Sequence, residues 1–243
     1  MNAVLAEYVE KWRNSAVGWR IIAYGSSNTE LCLHSQGAQN WVDHLMIALR
    51  TQVGRQVSVT NQGICGDTAS GLLQRFDRDV EPFHPDCVIV TIGGNDAGHG
   101  VAVEDYLGQV DALCRMIRHI GAKPVLQSYY FLLYDQLSAN HATLYPRYVE
   151  GLRYYAEANG IPLLDPYGPM EAYCRVDPAG YASLMLDGLH VNPLGNAVMG
   201  KLACEAFGLT MPELPAGTQR ELDIHWSKLQ AAQGAFPSEK KLE

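Results

Sequence analysis

Short β-rich apolar runs alternate along the chain with longer runs whose apolar positions recur at helical spacing. The run "WRIIAYG" (19–25) predicts a first strand. "QNWVDHLMIALRTQVG" (39–54) predicts a helix, with Trp41, Leu45, Ala48 and Leu49 on one face and Gly54 past its end. "QVSVTNQG" (56–63) reads as a second strand, and "DTASGLLQRFDRDV" (67–80) as a helix capped by Asp67 or Thr68. "DCVIVTIGG" (86–94) is almost wholly apolar, which predicts a central strand covered on both faces. A helix over about 103–120 stops at Gly121. "KPVLQSYYF" (123–131) reads as a fourth strand, "YPRYVEGLRYYAEANG" (145–160) as a helix stopped by Gly160, and "IPLLDPYG" (161–168) as a fifth strand. "PLGNAVMGKLACEAFG" (193–208) is a last helix opened by Pro193. Beyond Met211, "TQRELDIHWSKLQAA" reads as a further helix with Leu222, Trp226 and Leu229 on one stripe.

Five strand–helix alternations without an obvious linker or repeat predict an α/β fold: a five-stranded parallel sheet with helices on both faces, in three α/β/α layers. The expected organisation is a single domain over 1–210, its core at about 19–208, with a tail over 211–243 that is helical in part. Ligands of such sheets sit at the carboxyl ends of the strands, so the loops that follow the strands share one crevice.

Composition narrows the picture. The chain has 243 residues, 47% of them apolar, and a net charge of -8 spread without long acidic or basic runs. No basic stripe speaks for nucleic acid and no Lys/Arg cluster for anionic lipid, which leaves a small or neutral partner. Six cysteines without a C-x-x-C pair give no metal spacing, and reduced, mostly buried thiols are expected. The N-terminus carries charges every few residues and has no apolar core, and no run is long enough to span a membrane. The expected location is therefore cytoplasmic.

Candidate chemistry concentrates in the post-strand loops. After the first strand, Gly25 permits a sharp turn, and Ser26 and Ser27 follow it; a polar turn and the seat of a nucleophile are both readings of this stretch. A nucleophilic serine needs a base, and the base a partner that fixes its tautomer. In "LDGLHVNP", Asp187 stands three before His190, a spacing that brings a carboxylate to Nδ1 and leaves Nε2 free, although the same segment also reads as a turn before the last helix. Gly66 offers a backbone N–H for an oxyanion, or serves only its turn. Asn95 offers a side-chain amide, or bonds its own loop.

In order, these blocks are Gly25-x-Ser27, then Asn61-x-Gly63-x-x-Gly66-Asp67-Thr68, then Gly93-x-Asn95-Asp96, then Asp187-x-x-His190. Together, each after its proper strand, they resemble the SGNH/GDSL hydrolase superfamily (GDSL-like lipase/acylhydrolase esterases) over about residues 19–208. The resemblance implies a flavodoxin-like SGNH hydrolase fold and a carboxylic ester hydrolase. It implies Ser27 as nucleophile, His190 as base, Asp187 as its partner, and an oxyanion hole from Ser27, Gly66 and Asn95. A small-molecule ester is the implied substrate, and neither metal nor organic cofactor is required. The family usually carries aspartate where this chain has Ser26, a residue expected to brace the loops. That departure leaves Asp67 or Asn61 to organise the site and makes Ser26 a rival nucleophile.

Other features carry weaker expectations. Cys65 reads as a small loop-packing thiol or a redox-sensitive one, and His99 as a solvated loop residue or a pocket wall. "NQGICGDTASG" lacks the lysine of a phosphate-binding loop. Leu132, Leu133 and Tyr134 are expected at the crevice mouth, joined by Tyr173, Tyr181, Leu184 and Met185. They would form an apolar wall for an acyl chain, a sugar-stacking platform, or plain loop packing. The function readings are a serine esterase, a carbohydrate O-deacetylase of the same superfamily, and a catalytically silent member that binds a ligand or partner through the same crevice.

Overall fold

A computed structural model describes residues 2–235 of the chain. Its strands are β1 (Trp19–Gly25), β2 (Val57–Gly63), β3 (Cys87–Thr91), β4 (Lys123–Gln127) and β5 (Leu163–Leu164). They form one all-parallel sheet in the order β2-β1-β3-β4-β5. The helices are α1 (Ala3–Arg13), α2 (Trp41–Gln52), α3 (Ala69–Asp79), α4 (Gly94–Gly98) and α5 (Val103–His119). They continue with α6 (Ala139–Ala158), α7 (Tyr167–Val176), α8 (Pro178–Ala182), α9 (Pro193–Ala206) and α10 (Ala216–Ala235). The chain order reverses direction across the sheet between β1 and β3, and in such sheets a crevice opens at that switch point.

Helices cover both faces of this sheet. α2 packs with α9, while α3 packs with α5 and α5 with α6. All five residues of β3 are buried, as its unbroken apolar run requires of a strand covered on both sides. Side-chain caps start three of the helices that follow these loops, α2, α3 and α9. Asn40 accepts from the N–H groups of Val42 and Asp43, and Asp43 reaches back to the Asn40 N–H, a capping box that opens α2. Thr68, rather than Asp67, caps α3. Asn192 caps α9 with Pro193 in its first turn. The stripe expected in the tail is the buried face of α10: Leu222, Trp226 and Leu229, with Ala232. Residues 236–243 of the expected tail lie outside the described residues. Among the described residues no helix is long and apolar enough to cross a membrane.

Several elements differ from the sequence pattern. α1 was not anticipated; Asn2 caps it and Leu5, Val9 and Trp12 form its buried face. β3 ends at Thr91 because Gly93 has φ 123°, which breaks the extended chain. β4 leaves the sheet at Gln127, since its last partner strand, β5, is two residues long and Pro166 leads straight into α7. α6 begins at Ala139 and runs through Pro146, six residues earlier than the proline suggested.

Candidate active site

β1 delivers the first block. A Cβ on Gly25 would stand 2.4 Å from both Thr29 Oγ1 and Thr91 O, so only glycine lets the chain turn here. The turn closes when Thr29 and Glu30 donate their N–H groups to Ser26 O, both at 2.9 Å. It leaves the two serines facing opposite ways. Ser27 Oγ lies 2.9 Å from His190 Nε2, whereas Ser26 Oγ is fully buried, 2.5 Å from the hydroxyl of Tyr129.

The fourth block is a tight turn ahead of α9. Asp187 Oδ1 accepts the backbone N–H groups of Leu189 and His190, each at 2.7 Å, and Oδ2 lies 2.8 Å from His190 Nδ1. Burial pushes the Asp187 carboxyl up, but the hydrogen bonds from His190 and from the two N–H groups outweigh it and hold the group below its ordinary range. Asp187 thus stays ionised beside the imidazole. The Tyr130 hydroxyl sits between Asn28 Oδ1 (2.5 Å) and Leu189 O (2.6 Å) and accepts the Val191 N–H at 2.9 Å, tying the first block to the fourth.

The middle blocks are clipped to each other and to the turn after β1. Asn95 Nδ2 donates to Asp67 O at 2.8 Å, which uses one of its two amide hydrogens. Ala69 N–H donates to Asp96 Oδ1 at 3.0 Å. Asp96 is fully buried, its Oδ2 has no partner, and burial pushes its carboxyl up to about 6. Gly66 has φ 80°, a left-handed conformation that favours glycine. Among the described residues, the backbone N–H groups of Ser27 and Gly66 have no acceptor.

Asp67 and Asn61 both hold these loops. Arg75 donates from Nε to Asp67 at 2.7 Å, from one terminal nitrogen to Asp79 at 2.9 Å, and from the other to Gly25 O at 3.0 Å. Its guanidinium lies 4.4 Å from the ring centroid of Tyr24. Asn61 Nδ2 donates to Thr29 O at 2.6 Å, and its Oδ1 accepts the Gly63 N–H.

One neighbour went unread in the sequence. The imidazole of His34 stacks on that of His190, with centroids 3.7 Å apart and planes 5° from parallel. His34 lies in a single helical turn over Leu33–Ser35, and no spacing rule links it to the fourth block. Nitrogen and oxygen atoms of His34, Asp187 and His190 lie within 4.8 Å of one another. Two parallel stacked rings, however, direct their in-plane lone pairs side by side, and these do not converge on one cation.

The expected crevice wall is corrected. Leu132, Tyr173, Tyr181 and Leu184 are fully buried and Met185 nearly so. The chain after β4 folds inward, and the Tyr181 hydroxyl donates to Phe131 O. Of the three readings of these residues their burial fits packing, with Tyr173 on α7 and Tyr181 on α8, while Leu133 and Tyr134 are half-buried. Cys65 and His99 are exposed, against the expectation of a packed Cys65 thiol. Of the other cysteines, Cys87, Cys114 and Cys204 are buried and all six are free.

The match to a known family falls on this same part of the chain. Residues 23–198 match the GDSL-like lipase/acylhydrolase family. The chain is 32% identical over 113 residues to the esterase TesA of Pseudomonas aeruginosa, an alignment covering 46% of this chain and 51% of that protein. The chain thus spans about half the length of this curated relative. Among solved structures it is similar to LAE5, an alpha/beta hydrolase enzyme from the metagenome of Lake Arreo, Spain. There the TM-score is 0.66 and the identity 25%, over 80% of this chain and 97% of that one. It also shares its fold with Axe2, an acetylxylan esterase from Geobacillus stearothermophilus, with a TM-score of 0.66 and 20% identity over 79% and 95% of the two chains.

Proposed function

The chain belongs to the GDSL-like lipase/acylhydrolase family, and on that premise we propose that it is a serine esterase acting through an acyl-enzyme. The observation that carries this reading is the unbroken line from Ser27 Oγ through His190 (2.9 Å) to the Asp187 carboxylate (2.8 Å). Ser27 Oγ attacks the ester carbonyl while His190 Nε2 takes its proton. Asp187 fixes the imidazole with its proton on Nδ1 and stabilises the imidazolium. The carbonyl oxygen becomes an oxyanion facing the free N–H groups of Ser27 and Gly66 and the second amide hydrogen of Asn95. Such donors act where charge develops and stabilise the transition state more than the ground state. Collapse expels the alcohol, which takes the proton from His190. Water, deprotonated by His190, then attacks the acyl-Ser27 ester and releases the acid.

The surroundings favour an apolar acyl part over an acetylated sugar. Leu31 (58% exposed), Leu33 (92%), Ile64 (40%) and Leu186 (41%) stand on the loops that carry Ser27, Gly66 and Asp187. Four exposed apolar side chains on these loops suit a hydrocarbon chain, which gains by leaving water. A panel of p-nitrophenyl esters from acetyl to dodecanoyl, beside acetylated xylose and glucose, tests this reading. Turnover is expected to rise from acetyl toward medium acyl chains. Turnover confined to the acetylated sugars would make the protein a carbohydrate O-deacetylase. Failure of Ser27 to take up a phosphonate would leave it a ligand-binding member of the family.

A further inference from the structure

His34 has no part in the serine-esterase mechanism described above, yet its ring covers one whole face of His190. The contact is close: 3.7 Å between centroids at an interplanar angle of 5°. The turn that carries His34 follows directly from the Ser27 loop, so the stack joins the first block to the fourth. We propose that His34 is a positioning residue for His190: it holds that imidazole in the plane that reaches Ser27 and Asp187, and its neutral π face supports the imidazolium that forms when Ser27 loses its proton.

Two physical effects act together. A cation over an aromatic face within about 6 Å is attracted by the ring's electron density, more so where water is excluded. The stack also blocks rotation of His190 out of the line between Ser27 and Asp187, and such fixed geometry lowers the cost of reaching the transition state. The first effect requires His34 to be neutral, because a second positive charge at this distance would repel the imidazolium. The groups that face His34 set that state. From its own loop come the Cys32 thiol, 3.2 Å from Nδ1, and Glu30; from the fourth block come His190 and Asp187. Burial and the neighbouring His190 lower the His34 imidazole below its ordinary range, against smaller raising effects of Asp187 and Glu30. His34 is therefore uncharged at neutral pH.

This inference rests on the esterase reading, and one part of its test does not need activity. His34→Ala removes the ring, and His34→Phe keeps a flat π face that cannot protonate. With a p-nitrophenyl ester, His34→Ala is expected to lower kcat about three- to tenfold with KM within about twofold. His34→Phe should recover most of that loss, and the acid limb of its pH profile should lack any contribution from the second imidazole. Independently, histidine-selective NMR on the unliganded full chain should show His34 titrating below the ordinary histidine range and moving upward in His190→Gln. Wild-type kcat in His34→Ala, a Phe variant as poor as the Ala variant, or a His34 midpoint unmoved by His190→Gln would each overturn the proposal. If the wild-type protein hydrolyses no ester, the esterase reading fails while the NMR titration still decides whether the two rings are coupled.

Discussion

Ser26 and Ser27 are consecutive, and their hydroxyls point to opposite sides of the turn after β1: Ser27 Oγ lies against His190 Nε2 at 2.9 Å, Ser26 Oγ against the buried Tyr129 hydroxyl at 2.5 Å. Only the first has a base in reach. Ser27→Ala is expected to abolish labelling by a phosphonate inhibitor and to leave turnover down by about a thousandfold or more. Ser26→Ala should keep a measurable fraction of activity and lose about 0.5–1.5 kcal/mol of stability with its hydrogen bond to Tyr129. Intact-mass spectrometry with peptide mapping decides the matter, and an adduct on Ser26 would refute the assignment.

Asn95 donates one amide hydrogen to the Asp67 carbonyl, which leaves its second for the oxyanion in the proposed mechanism. Asn95→Ala should slow turnover by about a hundred- to a thousandfold, the usual effect of losing one oxyanion donor, with a small change in KM. Gly66→Ala has open space around its Cβ, yet φ 80° strains any L side chain by about 1–3 kcal/mol. Its expected signature is a lowered melting temperature together with lowered kcat, as the loop relaxes and carries the N–H away. Unchanged kcat in Asn95→Ala would remove that side chain from the oxyanion hole.

Asp96 gives a pH-dependent stability with an unusual sign. Burial raises its folded-state carboxyl from 3.8 to about 6, so between about pH 4 and 6 the folded protein binds more protons than the unfolded one. Stability contributed by this group is therefore present at low pH and lost as pH rises through that window. Asp96→Asn keeps an acceptor for the Ala69 N–H and cannot ionise. Urea unfolding should find the variant more stable than wild type by about 1–3 kcal/mol at pH 8, and nearly equal to it at pH 4. An equal difference at both pH values would show that ionisation plays no part.

The exposed apolar loop residues predict a selectivity change without loss of the chemical step. Leu33→Asp should lower kcat/KM for an octanoyl ester about tenfold, the worth of burying part of one leucine against a chain. The acetyl ester, too short to reach it, should stay within about twofold. A uniform fall for both esters would mean that Leu33 supports the loop rather than the substrate.

The layout of the fold was legible because β1, β3 and β4 are largely apolar runs and glycines follow or end β1, β2 and β3. β3 could be read as central from its composition alone and Gly25 from the turn after the first strand, whereas the roles proposed for Gly66 and Asn95 rest on the family pattern of the four blocks. Strand ends were overextended where backbone conformation decides: Gly93 at its positive φ and Pro166 before α7 stop strands that the apolar pattern would continue. Tyr173, Tyr181 and Leu184 lie in the core rather than at a crevice mouth, because the stretch before Asp187 forms the short helices α7 and α8, whose buried face the sequence pattern did not mark. His34 escaped notice for a different reason. Its contact with His190 depends on two distant loops meeting, and nothing in either loop's own spacing records the meeting.

Arg75 fastens the loop of Asp67 to the turn after Gly25 through one nearly buried guanidinium, with Asp79 and the Tyr24 ring closing its other sides. The two walls of the crevice are thereby joined before any substrate arrives. Substrate capture then needs no closing motion of these walls, and pre-steady-state traces should begin with acylation rather than with a lag. The entropy of ordering the loops is incurred once, when the chain folds, and not in every turnover. Removing one partner of a buried ion pair costs about 3–5 kcal/mol. Injury at Arg75, remote from the reacting atoms, would therefore surface as scarce folded protein, and the molecules that did fold would have to order the crevice walls anew in each turnover.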